Sequence, residues 1–243
     1  MSSASSTSGP RVLITGAAKR IGRTIAIELS RRGFQVAIHY NHSRAEAEEV
    51  SRACGGAPIF QANLADVPAI RRLFADVNNS FGPLDCLVNN AARFTRFDPL
   101  DITEQDWDFI HDVNLKATFF CCQEAARIML PRGAGRIVNF SSLGGIRPWA
   151  EHAHYCASKA GVIMLTKALS KAFAPRITVN SVAPGVIPFG NDVDSRVQAM
   201  IDATPMQRSG KPEEIADAVH FFLTAPTFIT GQILAVDGGL NDR

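Results

Sequence analysis

The chain changes its hydrophobic period at Thr15-Gly-Ala-Ala-Lys-Arg-Ile-Gly22. A short β-branched run, Arg11-Val-Leu-Ile-Thr15, leads into it, and Ile21, Ile25 and Leu29 follow at helical spacing. The sequence therefore predicts a strand, a glycine turn and a helix. In a doubly wound sheet, a turn of this kind directs backbone N–H groups and the positive end of the helix at a phosphate.

The same alternation of strand and helix continues along the chain. Further strands are predicted at 35–39, 57–61, 84–88, 136–140, 177–180 and 233–236, and helices near 43–54, 66–80, 103–130, 152–173 and 212–225. Nearly continuous apolar strands separated by helices predict a parallel sheet that is covered on both faces. We expect an α/β fold, a single doubly wound (Rossmann) domain with a central parallel sheet of about seven strands. Prolines and glycines predict an irregular lid over 184–211.

Composition limits the classes of function. The chain has 243 residues, 46% of them hydrophobic and 20% charged, which is typical of one globular domain at 11–243 behind a Ser-rich leader at 1–10 that we expect to be disordered. The net charge of +2 without a basic run argues against nucleic acid as a partner. No window is apolar enough to span a membrane. Five cysteines without a C-x-x-C pair indicate free thiols, no metal site and a cytoplasmic location.

The glycine turn carries two glycines and two cations. Gly16 allows the tight turn and Gly22 allows close packing of the helix, while Lys19 and Arg20 add positive charge, Arg20 in the place of the usual middle glycine. As a bare pattern this turn is weak, and the alternative is a plain connection between strand and helix.

The end of the second predicted strand indicates which dinucleotide would bind. An NAD site normally has Asp or Glu there, but this strand ends with His39-Tyr-Asn-His-Ser-Arg44. The missing acid and the nearby His42, Ser43 and Arg44 favour the 2′-phosphate of NADP(H). The alternative is a solvated turn in which Ser43 caps the next helix. Asn63 could bind the adenine edge, whereas Asp66 is equally suitable as a helix N-cap.

A tyrosine and a lysine form the candidate catalytic pair. Tyr155 lies four residues before Lys159 in a helical pattern, so the phenol and the ammonium share one face. An adjacent ammonium would lower the pKa of the phenol and suit it to proton transfer to a carbonyl oxygen. Ser142 follows a predicted strand at the carboxyl edge of the sheet, where its hydroxyl could orient the same oxygen. His152 and His154 flank this helix and are expected to be solvated.

With further motifs, these residues resemble the short-chain dehydrogenase/reductase family over 11–243. The matching motifs are 15–22, Asn89-Asn-Ala-Ala92, Asn114, Ser142, the Tyr155/Lys159 pair, Pro184-Gly185 and Val236-Asp-Gly-Gly239. The resemblance implies that Tyr155 is the acid/base and that Ser142 polarises the carbonyl. It also implies that Lys159 binds the nicotinamide ribose while lowering the pKa of Tyr155, and that Asn114 holds a proton-relaying water.

The resemblance further implies a set of cofactor contacts. Asn89 would support the cofactor ribose and the sheet, and the backbone after Pro184, near Ile187, would fix the nicotinamide amide. The full set of cofactor-binding candidates is Gly16, Lys19, Arg20, Ile21, Gly22, His42, Ser43, Asn63, Leu64, Asn89, Tyr155, Lys159, Pro184, Gly185 and Ile187. A homotetramer packed through the 103–130 and 152–173 helices and the C-terminal strand is also implied.

Two features point to different substrates. Arg20 and the segment His39-Tyr-Asn-His-Ser43 are similar to pteridine reductases, and Phe94 matches the aromatic on which those enzymes stack a pterin. Protozoal pteridine reductases, however, carry Asp at the position of Ser142, and the C-terminal half resembles bacterial 3-oxoacyl-acyl-carrier-protein reductases.

The expected function is therefore reduction of a ketone or 3-oxoacyl thioester by NADPH, with Tyr155 as proton donor. Phe94, Ser142 and Trp149 are the substrate-binding candidates, although both aromatics could be ordinary packing residues. Pteridine reduction is the alternative, and a non-catalytic NADP sensor is a further one.

Overall fold

The described residues form seven strands, all parallel, in one sheet. The strands are β1 (Arg11–Ile14), β2 (Gln35–Tyr40), β3 (Ile59–Gln61), β4 (Cys86–Asn89), β5 (Gly135–Phe140), β6 (Ile177–Pro184) and β7 (Ile233–Val236). Their order in the sheet is β3-β2-β1-β4-β5-β6-β7. The predicted fold class, a doubly wound parallel sheet of about seven strands, is confirmed. In this computed structural model, residues 9–190 and 193–242 are described.

Helices connect successive strands and cover both faces of the sheet. In the described ranges they are α1 (Arg20–Arg31), α2 (Arg44–Ala53), α3 (Val67–Ser80), α4 (Glu104–His111), α5 (Ala117–Met129), α6 (Ala153–Phe173), α7 (Ser195–Ala203) and α8 (Pro212–Thr224). A π-helical turn at Asp112–Lys116 joins α4 to α5. Side chains fix several starts: Asp66 accepts a hydrogen bond from Ala69 N at the start of α3, as the sequence allowed, and Thr103 and Asp106 form a capping box on α4.

Two apolar layers lie on opposite faces of the sheet, and alternate residues of each strand enter different layers. In β1, Val12 and Ile14 belong to the layer under α1 and α8, whereas Leu13 belongs to the layer under α3 and α5. All three side chains are fully buried. This two-sided burial explains why the strands read as continuous apolar runs and not as alternating ones.

Two further segments stand out in the sequence, the stretch 184–211 and the leader at 1–10. The stretch 184–211 was predicted as irregular, but it contains α7, whose N-cap Asp194 accepts hydrogen bonds from Arg196 N and Val197 N. In the predicted leader, residues 1–8 lie outside the described residues. Pro10 O accepts a hydrogen bond from Gln35 N, and Gly9 O accepts one from the Gln35 side chain.

Candidate active site

The strand order reverses beside β1, which opens a crevice at the carboxyl edge of the sheet. Connections from β1 and β4 leave in opposite directions here, and ligands of doubly wound sheets bind at such a point. Two adjoining cavities of about 490 and 300 Å³ occupy the crevice and share Ile21, Asn90, Ala92, Phe94 and Tyr155. Together they form a trough that runs from Lys19 and Asn63 at one end to Ser142 and Lys159 at the other.

The glycine turn is built so that no side chain could replace its two glycines. Gly16 has φ +63°, and a Cβ there would lie 3.0 Å from Ala91 Cα. A Cβ on Gly22 would lie 2.3 Å from Gly16 O and 2.5 Å from Asn90 Nδ2. Asn90 Nδ2 donates hydrogen bonds to Thr15 O and Gly16 O, at 2.9 and 3.1 Å. Asn90 therefore locks the turn against the end of β4, a role that sequence reasoning did not assign.

Arg20 lies in the left-handed region of backbone space. Its φ is +52°, a conformation that costs a residue with a side chain about 1–2 kcal/mol. Its guanidinium lies 5.7 Å from the centre of the Phe189 ring, and both residues line the larger cavity. A cation held in a strained backbone conformation beside this cavity favours a ligand-binding role over a purely structural one.

His39, in β2, connects the glycine turn after β1 to Ala62, which directly follows β3. Its Nδ1 accepts a hydrogen bond from Gly16 N at 3.1 Å, and its Nε2 lies 3.0 Å from Ala62 O. Because a carbonyl needs a donor, the proton must be on Nε2 and the ring must be neutral. Burial lowers the pKa of His39 to about 4, which is consistent with this neutral form.

At the end of the trough near β2, the residues that line the cavity are partly different from the predicted cofactor-binding residues. Lys19, Asn63 and Leu64 line the cavity, but Asn41 and His39 line it in place of the predicted His42 and Ser43. Ser43 holds the N-cap position of α2 without a capping side-chain hydrogen bond. Lys19 Nζ forms an ion pair with Glu46 Oε1 at 2.7 Å, a partner that the sequence pattern at β2 did not reveal.

Ser142 and Tyr155 meet at the other end of the trough. Ser142 follows β5 and accepts a hydrogen bond from Gly144 N at 3.1 Å, while Tyr155 projects from the first turn of α6. Burial raises the pKa of Tyr155 to about 12, against which a hydrogen bond with the Ser142 hydroxyl acts in the lowering direction. This pKa direction is opposite to the one expected from sequence, because loss of hydration outweighs the stabilisation of the phenolate.

The position of Lys159 explains why the pKa of Tyr155 is raised and not lowered, since the Lys159 ammonium is directed at a backbone carbonyl and not at the phenol. Its Nζ donates to Phe140 O at 2.9 Å and lies 5.9 Å from the centre of the Tyr155 ring. Burial lowers the pKa of Lys159 to about 8. The predicted pair does share one face of α6 and one cavity, but the charge of Lys159 is held by a backbone carbonyl.

Two predicted asparagines lie behind the trough and do not line it. Asn114, in the π-helical turn, accepts from Arg93 N at 2.7 Å and donates to Arg93 O and Ser158 Oγ at 3.0 and 3.1 Å. Asn89 donates to Asn139 Oδ1 and Cys122 Sγ between β4 and β5. Both side chains hold structural elements together, and Asn90 lines both cavities beside the buried Asn89.

Aromatic rings form the wall of the trough over the Tyr155 ring. Phe94 stacks on His152 with ring centres 4.6 Å apart and meets Tyr155 edge-on at 4.8 Å. Trp149 lies parallel to Tyr155 at 6.2 Å. Phe94, Trp149 and Ser142, the three substrate-binding candidates, all line the smaller cavity, together with Pro184, Gly185 and Ile187. The structure thus gathers these side chains around one small site.

The prediction for one of the flanking histidines is wrong. His154 is fully buried, because the segment after β4 folds over it, and its Nε2 lies 2.7 Å from Thr95 Oγ1. His152 is only partly buried, and its Nδ1 lies 2.9 Å from Thr95 O. Both histidines therefore fasten that segment to the start of α6.

The described residues also bear on metal binding, membrane insertion and the state of the cysteines. No group of three or more His, Cys, Asp or Glu side chains in ranges 9–190 and 193–242 is arranged to hold a metal ion. No helix in those ranges is long and apolar enough to cross a membrane. All five cysteines are free, and burial raises the pKa of Cys86 and Cys122 to about 12. Cys86, Cys121 and Cys122 are buried core residues, as expected, whereas Cys54 and Cys156 are only partly buried.

The fold and the trough define the class of doubly wound α/β oxidoreductases. A family model described as enoyl-(acyl carrier protein) reductase matches residues 16–241. A 3-oxoacyl-[acyl-carrier-protein] reductase, FabG, of Staphylococcus aureus is 40% identical over 238 residues, which cover 94% of this chain and 96% of the relative. The chain belongs to the short-chain dehydrogenase/reductase family.

Solved structures show the same likeness. A short-chain dehydrogenase/reductase mutant from Serratia marcescens has a TM-score of 0.90 at 33% identity, covering 96% of this chain and 98% of its own. A gluconate 5-dehydrogenase from Burkholderia cenocepacia, in complex with NADP and tartrate, has a TM-score of 0.89 at 30% identity, covering 97% and 96%. The chain is therefore an oxidoreductase of a family that uses a nicotinamide cofactor.

Proposed function

We propose that this protein reduces a carbonyl compound, a ketone or a 3-oxoacyl thioester, with NADPH, and that Tyr155 donates the proton. The observation that carries the proposal is that Ser142 and Tyr155, two hydroxyl-bearing side chains, line the same small cavity with Lys159 at one end of the trough. Two neutral hydroxyl donors that converge on one point suit a carbonyl oxygen that gains negative charge. The similarity to 3-oxoacyl reductases supports the same substrate class.

The residues of the trough fit a dinucleotide. Gly16 and Gly22 leave a cradle that any Cβ would fill, and Arg20 and Lys19 supply positive charge along it. Asn63 and Leu64 would lie against the adenosine half, and the backbone at Pro184, Gly185 and Ile187 would lie against the nicotinamide half. The reduced nicotinamide, when bound, supplies the hydride. The NADP in the similar gluconate 5-dehydrogenase supports this choice of cofactor.

The protein's own residues then orient the carbonyl and deliver the proton. Because burial raises the pKa of Tyr155 to about 12, its phenol is protonated at neutral pH, the form that a general acid needs. Ser142 hydrogen-bonds to the substrate oxygen and keeps it within reach of the Tyr155 hydroxyl. Lys159, held at Phe140 O, would hold the nicotinamide ribose. Asn114 supports this site through Ser158, whose hydroxyl donates to Tyr155 O at 2.7 Å.

Pteridine reduction is the second candidate, and the aromatic wall favours it. The ring of Phe94 is more than half exposed beside Tyr155, and Arg20 lies in the same cavity, so a flat heterocycle could stack there. Ser142 argues against it, because a hydroxyl orients C=O, whereas reducing C=N needs a donor near a ring nitrogen. We therefore place carbonyl reduction first.

The proposal extends to the location and assembly of the protein. Five free cysteines fit a reducing compartment, and we propose that the protein acts in the cytoplasm. A homotetramer through α4, α5, α6 and the C-terminal strand is proposed from the family resemblance.

A substitution of the tyrosine tests the function. We expect Tyr155→Phe to lower kcat for NADPH oxidation about 10²- to 10⁴-fold with acetoacetyl thioesters or α-diketones, while NADPH affinity changes only a few-fold. The control is Tyr40→Phe, at the only other tyrosine, which ends β2 and is also buried. Undiminished turnover by Tyr155→Phe would support a cofactor sensor instead. Turnover of dihydrobiopterin or dihydrofolate without any carbonyl substrate would reverse the order of the two candidates.

A further inference from the structure

An ion pair closes the end of the trough that lies farthest from Ser142. Lys19, at the N-cap position of α1, lines this end of the cavity, and its Nζ is 2.7 Å from Oε1 of Glu46 in the first turn of α2. The two side chains are 55% and 39% exposed, and Lys19 brings the Glu46 carboxylate to the edge of the cavity that Lys19 lines. The pair thus joins the starts of two helices across the cavity end.

The Glu46 carboxylate makes the charge at this end of the trough, where the adenosine half of the cofactor would lie, less positive than the sequence predicts. The second strand ends without an acid, yet α2 carries three glutamates, two of which pair with cations: Glu46 binds Lys19, and Glu48 binds Arg44 Nε at 2.9 Å. Each of these two cations is therefore already matched by an anion. An incoming phosphate meets a neutralised lysine, with the Glu46 carboxylate beside it.

We propose that Glu46 sets the preference between NADPH and NADH by competing with the 2′-phosphate for Lys19. The inference rests on the proposed function, in which NADPH lies in the trough with its adenosine half at the end lined by Lys19 and Asn63, and it takes Lys19 as the cation that meets the 2′-phosphate. The phosphate must displace the carboxylate from the ammonium, and the displaced carboxylate then repels it at short range. NADH carries a hydroxyl in place of the phosphate, so its affinity is insensitive to this competition. Glu46 thus lowers the selectivity that Lys19 provides.

A variant that removes the Glu46 charge should change the affinity for NADPH but not the affinity for NADH. We expect Glu46→Gln to tighten NADPH binding about three- to tenfold and to leave the Kd of NADH within about twofold, measured by fluorescence titration. The matched control is Glu49→Gln, which removes the same charge from an exposed position on α2 and should change neither Kd. Because the competition is electrostatic, the gain for NADPH should shrink as the salt concentration rises.

A second background shows whether Glu46 acts through Lys19. In a Lys19→Gln protein, NADPH binding should be weaker than in the wild type, and adding Glu46→Gln should no longer produce the full gain. Thermal unfolding of each variant, measured alongside, checks that the protein remains folded. A merely structural role for the ion pair would weaken both cofactors together.

The outcomes separate the inference from the proposed function. If Glu46→Gln behaves like Glu49→Gln, or weakens NADH selectively as a ribose-binding acid would, the inference is overturned. An equal loss of both cofactors also overturns it. If the wild type binds NADH as tightly as NADPH and Lys19→Gln changes neither Kd, the assignment of NADPH in the proposed function fails first.

Discussion

The imidazole of His39 makes the free energy of unfolding depend on pH. Its pKa lies at about 4 in the folded protein, against an ordinary value of 6.5. Between these two pH values the unfolded chain binds a proton that the native protein does not, so the free energy of unfolding falls as the pH is lowered from about 6.5 to about 4. At about 1.4 kcal/mol per pH unit, the full loss is roughly 3 kcal/mol.

A neutral replacement tests this dependence. In His39→Gln, the amide can still accept from Gly16 N and donate to Ala62 O, but it does not titrate. We therefore expect urea unfolding at pH 7 and pH 4.5 to show a smaller difference for this variant than for the wild type. His42→Gln, at the exposed neighbouring histidine, should retain the wild-type difference. An unchanged pH dependence in His39→Gln would contradict the assignment.

Single residues also show how far the sequence can be taken. The candidate catalytic residues and the glycines of the turn were predictable because their type and spacing are local signals. Asn90 and Glu46 were not, since their partners, Gly16 and Lys19, lie far away in the chain and are brought close only by the parallel pairing of strands. The pKa direction of Tyr155 was missed for a similar reason: spacing shows that Lys159 shares its helix face, but not that Phe140 O takes the ammonium.

At the level of elements, the segment after β4 is fastened to the start of α6. Phe97 N donates to Glu151 O at 3.0 Å, and Arg96 Nε donates to Glu151 Oε2 at 2.9 Å. With the contacts of Thr95 to the two histidines, these bonds hold Phe94 over Tyr155. We call this set of contacts, from Thr95, Arg96 and Phe97 to Glu151, His152 and His154, the latch. It positions Phe94, which forms one wall of the proposed substrate site.

Weakening the latch should change substrate affinity more than stability. The Arg96–Glu151 pair is substantially exposed, so we expect Arg96→Gln to cost less than about 1 kcal/mol of unfolding free energy. The substrate KM should rise several-fold with kcat nearly unchanged, because a displaced Phe94 would weaken the ground and transition states alike. Arg31→Gln breaks another exposed ion pair, at the end of α1, and should leave KM unaltered. A fall in kcat without a change in KM would contradict this role.

Element prediction succeeded where the pattern was periodic and failed where long-range contacts decide. The seven strands were found because each is a short apolar run. The helix α7 was overlooked because flanking prolines and glycines dominate 184–211, although Asp194 was a usable N-cap signal. The latch has no local pattern at all, since its residues are more than fifty positions apart.

For the whole molecule, one apolar surface is a candidate for contact with a second copy. A groove of about 390 Å³ lies between the π-helical turn, α5 and α6, where Leu115, Phe119, Phe120 and Leu165 line it. Next to Leu165 in sequence, Met164 leaves 63% of its surface exposed. Large exposed apolar groups of this kind commonly mark an interface between subunits. The surface coincides with the helices through which the proposed tetramer would pack.

A negative charge at the exposed Met164, next to this groove on α6, should dissociate the proposed tetramer without unfolding the protomer. We expect light scattering to give a tetramer for the wild type and smaller species for Met164→Glu, because an unpaired carboxylate buried between subunits loses its hydration. Since Met164 is mostly exposed within one protomer, the unfolding of the dissociated chain should remain cooperative. The control is Ala45→Glu, which adds the same charge at an exposed position of α2, outside α4, α5, α6 and the C-terminal strand, and which should remain tetrameric. A wild type that is a stable monomer would contradict the tetramer, and a Met164→Glu protein that still forms tetramers would show that the exposed side of α6 at Met164 is not part of the interface.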